Sequence, residues 1–148
     1  MANIKSSAKR DEKSKELRAK NRAEKTELKT MIKKFTVNVD NCTNPRQLQR
    51  FQQNGEYTLE LQLMSIGDIC FVGVPCELVA ELGMEIKWHS PFRKAYVFYN
   101  STDYVDYICH ANALVSGGYE PECQQFDARA GLQLVNAAVD AMFELKNK

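Results

Sequence analysis

Cations are missing from the middle of this chain. The stretch ELQLMSIGDICFVGVPCELVAELG, residues 60–83, holds no Lys or Arg. Long apolar runs are missing as well, since no segment approaches the ~18 apolar residues that a bilayer-spanning helix requires. The N-terminus carries Lys and Arg without an apolar core behind them, which excludes a secretory signal, and Asp11, Glu12 and Glu16 argue against a transit peptide. A cytoplasmic location is the expectation. The five cysteines (Cys42, Cys70, Cys76, Cys109 and Cys123) are odd in number and show no CxxC spacing. A disulfide framework is therefore not expected, and reduced, mostly buried thiols are. There are two histidines, His89 and His110, and with Cys109 they make no zinc-ligand pattern.

Gly and Pro are absent from Ala8 to Lys34, a segment rich in Lys, Arg, Glu, Ala and Leu. These are good helix formers. Ser6 or Ser7 can cap the start, and Asp11→Lys15 and Glu16→Lys20 are opposite-charge pairs at four-residue spacing. A long basic helix is expected here. Its apolar residues are few: Leu17, then Leu28, Met31, Ile32 and Phe35. A helix this polar cannot bury a wide face, so it is solvated or lies on something anionic.

What is present in total hides this asymmetry. The 148 residues have a formal net charge of +1. Residues 1–38 contain twelve Lys/Arg against five Asp/Glu, a surplus of +7, and the remainder sums to −6. Such a split between segments points to two partners or two origins. A basic helix binds nucleic acid by releasing counterions from the phosphates it neutralises.

Residues 39–56, rich in Asn, Gln, Pro and Gly, read as a linker, with one helical turn at Pro45 to Phe51. From Tyr57 the pattern alternates: Tyr57, Leu59, Leu61 and Leu63 on one face, Thr58, Glu60 and Gln62 on the other. That is a half-buried strand. A turn at IGD, a strand from Ile69 to Val74, a helix from Glu77 to Trp88 and a strand from Ala95 to Tyr99 follow. A short helix falls at His110 to Val115, and Gly117-Gly118 break it. Asp127 then caps a final helix whose stripe is Ala130, Leu134, Val135, Ala138, Met142 and Leu145. The expected architecture is α/β: a long basic N-terminal helix, then a small mixed β-β-α-β-α unit over residues 57–148.

Two family resemblances divide the chain. MANIKSSAKR, followed by RAKNRAEKTELKTMIKKF, resembles the start of the bacterial small-subunit ribosomal protein S-twenty family. The matching groups are Met1 to Ser6, Ala8-Lys9-Arg10, Arg18 to Ala23 and Thr30 to Lys34. The resemblance implies an arm lying on 16S ribosomal RNA. Its phosphate contacts would be Lys5, Lys9, Arg10, Lys13, Arg18, Lys20, Arg22, Lys25, Lys29, Lys33 and Lys34, which position rather than read sequence. After about Val39 that likeness stops.

The second half carries LQLMSIGDICFVGVPCE, SPFRKAYVFYNSTDYVDYI and GGYEPE. On spacing alone, Glu77 follows a buried strand at a helix start, where it can serve the helix dipole or face a ligand at the strand end. Together the three motifs resemble the end of the catalytic domain of neutral, non-lysosomal ceramidases, over about Leu59 to Lys148. That resemblance implies Glu77 and Tyr107 as zinc ligands and Tyr119 as the residue facing the substrate amide. A carboxylate and a phenolate suit a Lewis-acid zinc that activates water. The family's Gly between the two tyrosines is Asp106 here, and its two zinc-binding histidines lie in an upstream part with no counterpart in this chain. No cofactor is expected of the chain alone, and zinc would enter only if another chain supplied the remaining ligands.

The function expected is RNA binding of the ribosomal kind, with an inactive fragment of a zinc-dependent amide hydrolase as the alternative. An α/β unit cut from a larger domain exposes an apolar face, so self-association is expected as well.

Overall fold

The computed structural model describes residues 12–16, 28–39 and 55–148. Six strands run in chain order: β1 (Leu28–Asn38), β2 (Glu56–Ile66), β3 (Ile69–Gly73), β4 (Glu77–Leu78), β5 (Lys94–Phe98) and β6 (Tyr107–Ile108). The helices are α1 (Ala80–Trp88), α2 (Ala111–Ser116), α3 (Tyr119–Cys123) and α4 (Ala130–Lys146). Residues 12–16 are also helical and exposed. The rest of the expected arm upstream of Leu28, and residues 40–54 of the expected linker, lie outside the described residues.

The main sheet has the order β1-β2-β3-β5. β1, β2 and β3 pair antiparallel, and β3 pairs parallel with β5 across the α1 crossover. The alternation read from Tyr57 holds: Leu59, Leu61 and Leu63 are buried, while Thr58, Glu60 and Gln62 are exposed. The β2–β3 turn contains Gly67 with φ +57, the left-handed region that costs glycine nothing. α4 lies along the inner face of β1 and β2 and also touches α1. All six residues of its expected stripe are buried. Gly131 lets it approach β6 closely: a Cβ there would sit 2.6 Å from the carbonyl oxygen of Cys109.

Two expectations need correction. Helix does not extend through Leu28 to Lys34, because these residues open β1, paired antiparallel with β2 from Leu28↔Ile66 to Asn38↔Glu56. The physical reason is a second periodicity in the same residues. Met31, Lys33, Phe35 and Val37 sit at every second position, so three apolar side chains fall on one face of a strand. On that face Met31 and Val37 are buried against the core. Tertiary burial and a full ladder outweigh the modest helix preference of Lys, Leu and Met. The second correction is to the helix from Glu77. Glu77-Leu78 form β4, and α1 starts at Ala80, since both residues pair in parallel with β6.

Candidate functional site

The loop VPCE is gripped by the chain segment that follows β5. Val74 N–H donates to Phe98 O (2.8 Å), Ser101 N–H to Val74 O (2.9 Å), Asn100 N–H to Cys76 O (3.1 Å) and Val105 N–H to Pro75 O (3.1 Å). Pro75 has no N–H to give, which suits the point where the β3 ladder ends. Cys76 is fully buried beneath the loop, and burial pushes its thiol well above the ordinary thiol range. The other described cysteines are free as well, with Cys70 and Cys109 buried and their thiols pushed up to about 11 by desolvation.

This grip sets Glu77 beside Tyr107, register partners in the β4–β6 pair. The Glu77 N–H donates to Asp106 O at 3.0 Å. Asp106 aims that carbonyl from φ +60, a left-handed conformation that costs a non-glycine residue on the order of 1 kcal/mol. The Tyr107 hydroxyl hydrogen-bonds the Glu77 carboxylate, and this contact holds its pKa well above the ordinary tyrosine value. Tyr119 meets Tyr107 edge to face, ring centroids 6.0 Å apart. Gly117 and Gly118, at φ +75 and +125, turn the chain between α2 and α3 to bring it there. A side-chain hydrogen bond with Cys123 raises the Tyr119 pKa.

Glu77, Tyr107 and Tyr119 are thus brought together. A fourth member of the cluster lies outside the expected site set: the Tyr104 hydroxyl bonds first Asp106 and also Glu77, which pushes its pKa up to about 12. The three-residue spacing of the two Asp-Tyr pairs in DYVDY was the available signal. The cluster sets three phenols, held neutral by their raised pKa values, around the side chains of Glu77 and Asp106. Two of its oxygens, from Glu77 and Tyr107, suit a hard cation. Among the described residues, however, no three His, Cys, Asp or Glu side chains group so as to hold a metal. His89 hydrogen-bonds its own helix at Glu85 O (2.8 Å), and the His110 side chain accepts from Asn112 N–H at the start of α2. Among the described residues the donor set falls short of the three or four protein ligands of a zinc site. A groove of about 640 Å³ between α1 and α2 is lined by Met84, Glu85, Trp88 and His110, and none of the three expected site residues lines it.

The expected RNA-contacting cations divide differently. Lys13 is exposed within the helical residues 12–16. Lys29, Lys33 and Lys34 lie on β1, where Lys33 Nζ bonds Glu144 Oε1 of α4 and Lys34 Nζ bonds Glu60 Oε1 of β2, each at 2.6 Å. Lys5, Lys9, Arg10, Arg18, Lys20, Arg22 and Lys25 fall outside the described residues.

The family described as Ribosomal protein S20 matches residues 2–54. Among solved structures, the neutral ceramidase from Pseudomonas aeruginosa is similar with a TM-score of 0.58 at 15% identity, over 80% of this chain and 29% of that one. A ceramidase complexed with C2 gives 0.58 and 15% over 74% of this chain and 20% of that one. Two resemblances meet in one chain. The likeness to ceramidases is one of fold, and this chain spans less than a third of their length. No curated protein matches it. The two likenesses also overlap. Residues 55–148 make up less than two thirds of the chain, so a shared fold over 80% of it reaches back into the segment that the ribosomal family matches. β1 is the described element that lies in this seam.

No helix among the described residues is long and apolar enough to cross a membrane.

Proposed function

We propose that this is a cytoplasmic RNA-binding protein that engages 16S ribosomal RNA through its basic N-terminal residues, carried on a ceramidase-like α/β body. The observation that supports this best is the family match over residues 2–54, in a segment whose first 38 residues have a surplus of seven positive charges. Cations on a short arm can neutralise phosphates without a completed fold. Lys33 and Lys34 are already paired with carboxylates, so the contacts that matter are Lys5, Lys9, Arg10, Lys13, Arg18, Lys20, Arg22 and Lys25, with Lys29 at the edge.

The position of β1 sets the experiment. A deletion must stop at residue 27 to leave the sheet intact. The full chain should bind 16S rRNA fragments with an affinity that falls steeply with salt, and removal of residues 1–27 should abolish binding while the far-UV circular dichroism of the body persists. Each lost phosphate contact should flatten the log–log salt slope by about one unit. Binding that ignores salt, or that survives the deletion, overturns the reading.

A second reading, an amide hydrolase of the ceramidase kind, draws support from the meeting of Glu77, Tyr107 and Tyr119. Its donor set falls short of a metal site, so the chain alone should neither retain zinc stoichiometrically nor release fatty acid from an N-acyl sphingoid. Either result in the positive would promote this reading.

A further inference from the structure

The two faces of the main sheet are not treated alike. α4 and α1 cover the inner face. No element among the described residues covers the outer one. That face carries Leu28 and Ile32 of β1, Met64 and Ile66 of β2, and Tyr96 and Phe98 of β5, each between 37% and 61% exposed. They are neighbours across the ladder: Leu28 opposes Ile66, and Met64 opposes Phe71, which opposes Tyr96. Phe71 stacks on Tyr96 with ring centroids 5.7 Å apart and leans on Phe98 at 6.0 Å.

We infer that this outer face is the seat of a second copy of the chain, packed sheet on sheet about a two-fold axis. Three observations select that occupant. The first is charge. The face carries the Lys34–Glu60 pair, the cation of Lys94 and, at the far end of β2, Glu56, so it has little with which to draw a polyanion. An RNA surface needs several free cations; an apolar partner needs none.

The second is area. Six large side chains of roughly 200 Å² each, about half exposed, leave on the order of 600 Å² of apolar surface in one patch. This lies at the top of what a monomer presents. With the intervening Thr30, Gln62, Ile69 and Phe71 it approaches the ~800 Å² per partner of a stable interface.

The third is self-complementarity. A depression of about 470 Å³ opens over Gly73, between Thr30, Gln62, Met64, Phe71 and Phe98. It is there because Gly73 has no side chain, and a Cβ would already meet Ser101 at 2.9 Å. The same face carries exposed apolar groups, Ile32 on its aliphatic side and Phe98, which also walls the hollow, on its aromatic side. In an isologous pair, such a group of one copy meets the hollow of the other, and the reverse contact repeats it. Face-to-face sheets about 10 Å apart bury such side chains as a sandwich core.

Light scattering coupled to size exclusion on the full chain, from about 1 to 100 µM, tests this by mass action. A dimer is expected. Ile32→Glu and Phe98→Glu should each weaken it at least tenfold, with thermal unfolding of the monomer little changed because both side chains face outward. Trp88→Glu, exposed in the separate α1–α2 groove, should leave dimerisation intact. A monomer at about 100 µM, or a dimer indifferent to both face variants, overturns the proposal. So does a monomer whose salt-dependent RNA binding is lost with Phe98→Glu, since RNA would then cover the face. The arm's own RNA binding, measured at concentrations where the chain is monomeric, is read separately, so either proposal can fail alone.

Discussion

β1 and α4 lie against each other, and their sequences begin alike. Leu28, Met31, Ile32 and Phe35 are spaced i, i+3, i+4, i+7, and so are Gly131, Leu134, Val135 and Ala138 on α4. Both therefore offer a helical stripe. α4 forms that helix and buries all six residues of its stripe. β1 does not. As a strand it keeps Met31 and Phe35 on the inner face and leaves Leu28 and Ile32, each 61% exposed, on the outer one. The difference lies in what else the segments encode. Met31, Phe35 and Val37 also fall on one face of a strand, and β2 offers a full antiparallel ladder. α4 has no competing period. A segment that satisfies two patterns is settled by its neighbours, and half of the losing pattern is left exposed. The apolar patch on the outer face is in part that remainder.

The comparison can be broken at its stronger end first. Leu134 is fully buried in α4 beneath the sheet. Leu134→Ala should cost about 2–5 kcal/mol through lost burial and the cavity left behind. Chemical denaturation of the full chain checks it, and a cost under 1 kcal/mol would mean that α4 is not the keystone of the core. Val37 is the matching position in β1, 1% exposed. Val37→Ala should cost about 2 kcal/mol. A negligible effect would show that β1 docks without depending on its apolar residues, and would reopen a helical state for this segment.

These two expectations also mark how far the sequence could be read. Strand β2 and helix α4 were legible because each carries one clear period, and β3 and β5 because each is a short apolar run bounded by turn signals. β4 and β6 were not: two residues each, they exist through pairing with one another, and no local pattern announces so short a parallel ladder. β1 was misread because Lys and Glu dominate its surroundings and suggest helix, whereas its register is set by residues about thirty positions away. The site was legible in part. Spacing alone favoured Glu77 as a helix-dipole residue, and only the family resemblance brought Tyr107 and Tyr119 into a site with it. Tyr104 and the left-handed Asp106 depend on the loop's path, which single residues do not disclose.

The junction between the two regions offers the next test. Asn38, at the end of β1, donates through Nδ2 to Asp127 Oδ2 at 3.2 Å, and the Asp127 N–H donates to Asn38 O at 3.0 Å. Val39 and Phe126 form a bridge beside them. Burial pushes the Asp127 carboxyl up. Hydrogen bonds from the side chain and backbone of Arg129 and from Asn38 outweigh it and hold the carboxyl below the ordinary 3.8. A depressed carboxylate contributes stability above its unfolded value, and loses it as pH falls through the folded one. Asp127→Ala should therefore cost about 1–2 kcal/mol at pH 7. The gap to the natural chain should close below about pH 4. A gap that stays constant down to pH 2 would assign the effect to packing rather than charge.

The smallest effect concerns an ionic contact between β1 and α4. Lys33 Nζ lies 2.6 Å from Glu144 Oε1, with the two side chains 31% and 51% exposed. Pairs this exposed are screened and contribute about 0.2–1 kcal/mol. Glu144→Gln should lower the melting temperature by at most about 4 °C. That difference should shrink as salt is raised, because screening weakens the pair in the natural chain and has nothing to act on in the variant. The same substitution frees Lys33. If the basic segment binds RNA, affinity at low salt should then rise and the salt slope steepen by less than one unit. A stability loss of 2 kcal/mol or more would instead mean that β1 is held to α4 by charge, and that Met31, Phe35 and Val37 accompany the docking rather than drive it.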